Sequence, residues 1–216
     1  KIFKKYYSED TLLIDLGANI GQTLIKWIGI GGKSSNYIGF EPNPNCFSYL
    51  FDFLEINNLS NSKIICSGLS DSTKLSVFEL SNQYDTRASS NKDYRFNNYD
   101  DSFELYFPLL DANYCLDKFN LNYKKIIIKI DVEGNEYDIL CSLKNLINKL
   151  KPIIIVEILS EKNFCNSKTN AFRKTQLEKI GNFFKNKKYK ISRIFRNGSL
   201  NGNEDETTDD FLCIPN

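Results

Sequence analysis

The chain has 216 residues, and its 28 lysines and arginines nearly balance 27 aspartates and glutamates, for a net charge of +1. This length suits one α/β domain, residues 1–216, and the balanced charge argues against a nucleic-acid partner. No apolar run approaches the ~20 residues that a membrane-spanning helix needs. Six scattered cysteines predict a reducing, cytoplasmic location, and the absence of histidine removes the commonest general base and metal ligand.

The first predicted unit is a buried strand over residues 12–16, a turn with Gly17 and Gly21, and a helix. Glycine lacks a Cβ, so the chain can bend tightly there and a ligand can approach the backbone closely. The dinucleotide pattern G-x-G-x-x-G fails, because Asn19 and Gln22 stand where it needs glycine. The turn therefore predicts a nucleotide-like ligand other than a dinucleotide.

Acidic residues mark the ends of the first two predicted strands. Asp15 precedes the glycine turn, and a carboxylate there favours a ligand with a cationic amine or sulfonium, such as S-adenosylmethionine (SAM). Glu41 follows the second apolar stretch, residues 37–40, and lies 20 positions after Gly21 (41 − 21 = 20). A carboxylate at this place can accept hydrogen bonds from both ribose hydroxyls. The alternative is a turn glycine and a helix cap without any ligand.

The middle of the chain continues the α/β alternation and then breaks it. A helix over residues 43–57 and a strand over 63–66 precede Gly68, which would let a flat adenine ring approach, although an ordinary turn would look the same. After a short strand over 75–80, residues 81–111 lack periodicity and are rich in asparagine, aspartate and aromatic side chains. We predict an inserted loop that caps a sugar-like substrate, with compositional bias as the alternative.

The second half of the chain restores the alternation. Unbroken isoleucines over residues 124–130 predict a central strand that is buried on both faces. A helix follows Gly134, and the next buried strand, residues 152–158, again ends in a carboxylate, Glu157. A long helix over residues 169–187 and two closing strands complete one α/β domain.

Five segments together resemble the FkbM family of SAM-dependent methyltransferases. They occur in the order and spacing of that family: I-D-L-G-A-N-I-G at 14–21, F-E-P-N-P at 40–44, G-L-S-D at 68–71, K-I-D-V-E-G-N-E at 129–136 and I-I-V-E-I at 154–158. The terminal D-F-L-C-I-P at 210–215 also fits. The segment K-I-D-V-E-G is the most specific, because SAM enzymes in general do not share it.

The resemblance implies a class I, Rossmann-like α/β sandwich with a seven-stranded, mostly parallel sheet in the order 3-2-1-4-5-7-6, its last strand antiparallel. It implies SAM as cofactor and methylation of a hydroxyl, often on a sugar or glycan, so we expect a small-molecule or glycan partner. In such a fold the aminocarboxypropyl end of SAM, its ribose and its adenine would be held by Asp15, Gly17, Ala18, Asn19, Gly21, Thr23, Glu41, Pro42, Asn43, Gly68 and Leu69, with Asp131 facing the methyl group.

A hydroxyl is a poor nucleophile until its proton begins to leave, so methyl transfer to it needs a general base. Since the chain has no histidine, we expect Asp131 and Glu133 to be the candidate bases and Lys129 to tune them. The alternative is structural: Lys129 and Glu157 would form a buried ion pair between the fourth and fifth strands. Asp131 and Glu133 also offer oxygen ligands for a divalent cation, but metal-free chemistry is favoured.

Two other functions stay open at this point. One is nucleic-acid methylation, although base-modifying enzymes commonly end the fourth strand with an Asn- or Asp-Pro-Pro-aromatic turn, whereas residues 131–134 read D-V-E-G. The other is a non-catalytic SAM-fold partner subunit, against which Asp15, Glu41 and Asp131 argue. The acceptor, the position methylated and the oligomeric state are left open.

Overall fold

The computed structural model describes residues 1–80, 103–160, 167–196, 198–200 and 207–216. The strands in these ranges are β1 (Thr11–Leu16), β2 (Tyr37–Phe40), β3 (Lys63–Ile65), β4 (Gly68–Ser70), β5 (Lys74–Leu80), β6 (Phe103–Asp111), β7 (Lys125–Ile130), β8 (Ile153–Glu157), β9 (Tyr189–Phe195) and β10 (Thr207–Pro215). The helices are α1 (Ile2–Tyr6), α2 (Gln22–Gly29), α3 (Pro44–Ile56), α4 (Ala112–Leu116), α5 (Glu136–Ser142), α6 (Lys144–Leu150) and α7 (Ser167–Asn186), with a 3₁₀ turn at Ser34–Asn36. None of the helices in this described part is long and apolar enough to cross a membrane.

Within the described residues, seven strands form the main sheet in the order β3-β2-β1-β7-β8-β10-β9. Strand β1 pairs in parallel with β2 and β7, and β7 pairs in parallel with β8. Strand β10 is antiparallel to both of its neighbours. Counted along the chain within this sheet alone, the order is 3-2-1-4-5-7-6. The predicted α/β class, strand order and antiparallel last strand are confirmed.

The two central strands are buried on both faces, as their apolar sequences predict. All six residues of β1 are buried. Alternate residues of the two strands pack in different core clusters. Leu13 and Ile127 belong to the cluster on one face of the sheet. The cluster on the other face contains Leu12, Ile14, Leu16, Ile126, Ile128 and Ile130. Full burial of an aliphatic side chain contributes about 1.5–3 kcal/mol, so these strands anchor the loops at their carboxyl ends.

A second, three-stranded sheet in the order β4-β6-β5 departs from the prediction. The last nine residues of the predicted inserted loop form β6, which is antiparallel to β5 and parallel to β4. Pro108 has no N–H to donate to a neighbouring strand. It lies one residue before the pairing with β4 begins, where only β5 lies beside β6. Gly68 and Leu69, predicted to lie in a loop, belong to β4. Residues 81–102, the rest of the predicted cap, lie outside the described residues.

Candidate active site

A cavity of about 560 Å³ opens at the carboxyl edge of the main sheet. Its size is within the ~300–1,000 Å³ typical of small-molecule sites. The walls come from the ends of β1, β2 and β7, from helix α5 and from the small sheet. Most of the predicted site residues line it: Gly17, Ala18, Asn19, Thr23, Glu41, Pro42, Asn43, Gly68, Leu69, Lys129, Asp131 and Glu133. Asp15 and Gly21 are not among the lining residues.

The glycine turn after β1 bends as predicted, but its glycines are needed for packing within the protein. Gly17 and Gly21 have φ of +86° and +91°, and Asn19 between them has φ of +51°. A Cβ on Gly17 would lie 1.9 Å from the carbonyl oxygen of Asp131, and one on Gly21 would lie 2.7 Å from Cδ1 of Leu50. The close approach that Gly17 permits is therefore between the β1 turn and the end of β7.

Asp15 lies beneath the cavity floor, contrary to the expectation that it contacts the ligand. It is fully buried, and its Oδ2 accepts a hydrogen bond of 2.7 Å from the Tyr37 hydroxyl on β2. Burial raises the pKa of Asp15 to about 6, although the charge of Lys129 and the Tyr37 hydrogen bond oppose the rise. Asp15 therefore links β1 to β2 beneath the cavity, and a role in binding a ligand stays a prediction.

Glu41 joins the ends of β1 and β2. Its Oε2 accepts a hydrogen bond of 2.7 Å from the Asn19 N–H, and its Oε1 accepts one of 2.8 Å from the Asn43 N–H. Burial raises its pKa to about 7, against the effect of these two hydrogen bonds. Each carboxylate oxygen has a second lone pair, so Glu41 can still accept hydrogen bonds from ligand hydroxyls.

Lys129 and Asp131 form an ion pair at the end of β7, with 2.7 Å between Nζ and Oδ2. Burial alone would lower the pKa of Lys129, but the charges of Asp131, Asp15 and Asp210 overcome that effect and raise it. Lys129 is therefore a cation that cannot serve as a general base. Among the described residues, Lys129 therefore pairs with Asp131 just after its own strand, whereas the structural alternative of the sequence analysis paired it with Glu157 on β8.

Three carboxylates converge beside this ion pair. One oxygen each of Asp131, Glu133 and Glu157 lies within 4.8 Å of the others. Glu133 does not reach this position by strand alternation, because β7 ends at Ile130 and Glu133 has φ of +52°. The turn after β7 brings it back to the cluster. Such oxygens suit a divalent cation, but Lys129 already places a positive charge beside them, and metal-free chemistry stays a prediction.

Sequence reasoning missed Glu136, the first residue of α5. It is 1% exposed, and its carboxylate accepts hydrogen bonds from the backbone N–H groups of Gly134 and Val132. Burial raises its pKa to about 7, with the charges of Asp131 and Glu133 adding to the rise. The signal was available, because an acidic residue at the start of a helix commonly accepts hydrogen bonds from nearby backbone N–H groups.

The small sheet supplies an aromatic wall of the cavity; sequence reasoning placed Phe107 in an aromatic substrate loop and Phe78 in a strand, but it missed strand β6 and the contact between the two rings. Phe78 on β5 and Phe107 on β6 stack with 3.9 Å between ring centroids and an interplanar angle of 19°. Lys74 and Ser76 line the cavity beside them. The alternation of Leu105, Phe107 and Leu109 was the available signal for a strand.

Comparisons with known proteins identify the class and then the family. The sheet order and the glycine turn at a cavity on its carboxyl edge define a class I, Rossmann-like methyltransferase fold. A profile described as "Methyltransferase FkbM domain" matches residues 15–191, most of the chain. The chain therefore belongs to the FkbM family of SAM-dependent methyltransferases, as the sequence resemblance predicts.

Solved structures share the fold at low sequence identity. An FkbM methyltransferase from Methylobacillus flagellatus is 18% identical with a TM-score of 0.61, and the match covers 96% of this chain but only 44% of that one. A putative methyltransferase from Streptococcus mutans in complex with SAH is 10% identical over 98% of this chain and 90% of its own, with a TM-score of 0.51. A putative rRNA methylase from Clostridium thermocellum is 15% identical over 99% and 90%, with a TM-score of 0.53. No curated protein sequence matches the chain significantly.

Proposed function

We propose that this chain transfers a methyl group from SAM to a hydroxyl of a sugar or glycan, with a carboxylate as general base. The observation that supports the proposal is the convergence of Asp131 and Glu133 on the cavity in a sequence without histidine. Two carboxylates on one wall offer proton acceptors at the place where the central strand ends. The charge of Lys129 excludes it as a base.

The residues of the cavity fit SAM. Glu41 would accept hydrogen bonds from the ribose hydroxyls, the turn from Gly17 to Asn19 would hold the aminocarboxypropyl end, and Gly68 and Leu69 would border the adenine. Carboxylates around the cavity favour a cationic ligand, because opposite charges attract strongly where water is excluded. When bound, SAM supplies a methyl group on a positively charged sulfur, which is the electrophile of the reaction.

The chain's own contribution to the reaction is orientation and proton removal. Lys129 donates a hydrogen bond to Oδ2 of Asp131 and so fixes the direction of that carboxylate. Asp131 or Glu133 would accept the proton of the acceptor hydroxyl, which would raise the electron density on that oxygen as it takes the methyl group from the sulfur of SAM. Phe78 and Phe107 present an apolar surface to the cavity and help to exclude water from it.

The test is methyl transfer from labelled SAM to a panel of neutral methyl glycosides, nucleotide-linked sugars, oligosaccharides and a ribosomal RNA fragment. We expect label in a carbohydrate hydroxyl, and none with Asp131→Asn and Glu133→Gln combined. The control is Glu178→Gln, an exposed residue on α7, which should leave transfer unchanged. Label in the RNA alone would replace this proposal with nucleic-acid methylation. Calorimetry that detects neither SAM nor SAH binding would favour a non-catalytic subunit.

A further inference from the structure

We propose that Glu136 is a positioning residue for methyl transfer, because it holds the turn that carries both candidate bases. We call residues 131–135 the acidic turn. The inference rests on the proposed function, since Asp131 and Glu133 are the groups proposed there to accept the proton. Glu136 itself is buried and acts through the backbone of the acidic turn.

The acidic turn has a backbone conformation that needs outside support. Glu133 has φ of +52° and Gly134 has φ of +103°, so two consecutive residues are left-handed. Glycine adopts this region readily, whereas a glutamate in it is strained by contact of its Cβ with the backbone. This strained residue is the one whose carboxylate reaches the cluster with Asp131 and Glu157. A strained conformation of this kind persists only where surrounding contacts impose it.

Contacts from two sides hold the acidic turn. On the β1 side, the Asp131 N–H donates a hydrogen bond of 3.0 Å to the Leu16 carbonyl, and the missing side chain of Gly17 leaves space for the Asp131 carbonyl. On the α5 side, Oε1 of Glu136 accepts hydrogen bonds of 3.0 Å from the Gly134 N–H and 3.3 Å from the Val132 N–H. These two donors lie on either side of Glu133, so Glu136 fixes the peptide groups that direct the Glu133 side chain.

A purely structural role would not require an acid at this position. Burial and the neighbouring charges of Asp131 and Glu133 make the ionised form of Glu136 unfavourable, which is why its pKa is raised. A glutamine has nearly the same shape and would avoid that cost. Its single carbonyl oxygen could accept from both N–H groups, as Oε1 does here, but its amide group could not accept the further contact of 3.2 Å that the Gly134 N–H makes with Oε2. The carboxylate accepts from the Gly134 N–H at both of its oxygens, and its charge strengthens each of these hydrogen bonds.

The experiment compares Glu136→Gln, Gly134→Ala and the double variant with the wild-type chain, using the glycoside that the acceptor screen selects. We expect each single variant to lower kcat about 10–100-fold, the effect typical of groups that orient a reacting residue, with the KM for SAM changed less than about threefold. The kcat of the double variant should be no lower than that of the less active single variant, because both changes release the same turn. Glu178→Gln is the control for removal of one carboxylate. An unchanged kcat in Glu136→Gln, or losses that multiply in the double variant, would overturn the inference.

Amide hydrogen exchange separates this inference from the proposed function. In Glu136→Gln the Val132 and Gly134 amides should exchange at least about tenfold faster, while those of β1 keep their wild-type rates. If the wild-type chain methylates no hydroxyl, the proposed function fails. Independently of that result, an unchanged exchange rate of the Gly134 amide in Glu136→Gln would show that Glu136 does not position the acidic turn. Should Glu136→Gln not fold, Glu136→Asp, whose shorter side chain cannot span the same distance, serves in both measurements with the same expected directions.

Discussion

The two halves of the cavity use their carboxylates differently. In the half formed by β1 and β2, Asp15 accepts from the Tyr37 hydroxyl and Glu41 accepts from two backbone N–H groups. In the half at the end of β7, the oxygens of Asp131 and Glu133 lie within 4.8 Å of each other and of Glu157 on β8, which is not among the lining residues. The first half therefore has carboxylates that accept hydrogen bonds from fixed donors, and the second has carboxylates that lie close to one another, one of them paired with Lys129. Following the proposed function, we call the first the binding half and the second the reacting half.

The strongest test of the comparison removes the junction between the two halves. Gly17→Ala places a Cβ 1.9 Å from the Asp131 carbonyl at a residue with φ of +86°, so β7 or the β1 turn must move. We expect a loss of about 3 kcal/mol or more in the free energy of unfolding, measured by urea denaturation. Gly181→Ala on α7 is the matched control, because its Cβ meets nothing within 4 Å and should stabilise the helix by about 0.5–1 kcal/mol. Equal stability of the two variants would contradict the packing argument.

The next largest effect is expected from the reacting half. Asp131→Asn keeps the size of the side chain but removes the carboxylate that Lys129 orients. We expect kcat to fall about 10²–10⁴-fold, as for loss of a general base, while the dissociation constant for SAM changes less than about fivefold. Single-turnover kinetics and calorimetry measure the two quantities. A variant that turns over at the wild-type rate would leave Glu133 as the candidate base.

The binding half should respond in affinity and not in turnover. Glu41→Gln removes a charged acceptor that lines the cavity, and we expect SAM to bind about 10-fold more weakly or worse. Asp15→Asn changes a carboxylate of similar burial that has no surface on the cavity, so its effect should stay below about threefold. Calorimetry of both variants provides the comparison. Equal losses in the two would mean that charge alone, and not contact, determines SAM affinity.

The local sequence pattern correctly predicted the central strands and the edge of the sheet where the cavity lies. The apolar runs of β1 and β7 indicated buried central strands, and the acids that follow them marked the carboxyl edge. The hydrogen bond that Asp15 accepts comes from Tyr37, a partner 22 residues away that no local pattern reveals. The position of Glu133 depends on a left-handed residue, whereas alternation assumes that the strand continues. The small sheet was missed because β6 pairs with strands distant in sequence and contains Pro108.

The last prediction is a dependence of stability on pH that arises in both halves, of which a single variant changes only one group's share. Burial raises the pKa of Asp15 to about 6 and those of Glu41 and Glu136 to about 7, above the ~4 of unfolded carboxyls. Between pH 4 and 7 the folded chain therefore binds more protons than the unfolded chain, so these groups make stability fall as pH rises through this window. Each group contributes on the order of 1–3 kcal/mol to that fall.

Urea denaturation at pH 5 and pH 8 tests this prediction, and Glu136→Gln identifies one of its sources. The wild-type chain should be more stable at pH 5, and the variant should reduce the difference by on the order of 1 kcal/mol because one titrating group is gone. Glu178→Gln, which removes an exposed carboxylate, should keep the full difference. If the variant and the control show the same difference in the free energy of unfolding between pH 5 and pH 8, the Glu136 carboxylate does not titrate in this range. Contacts beyond the two backbone hydrogen bonds would then have to offset the effect of burial on its pKa.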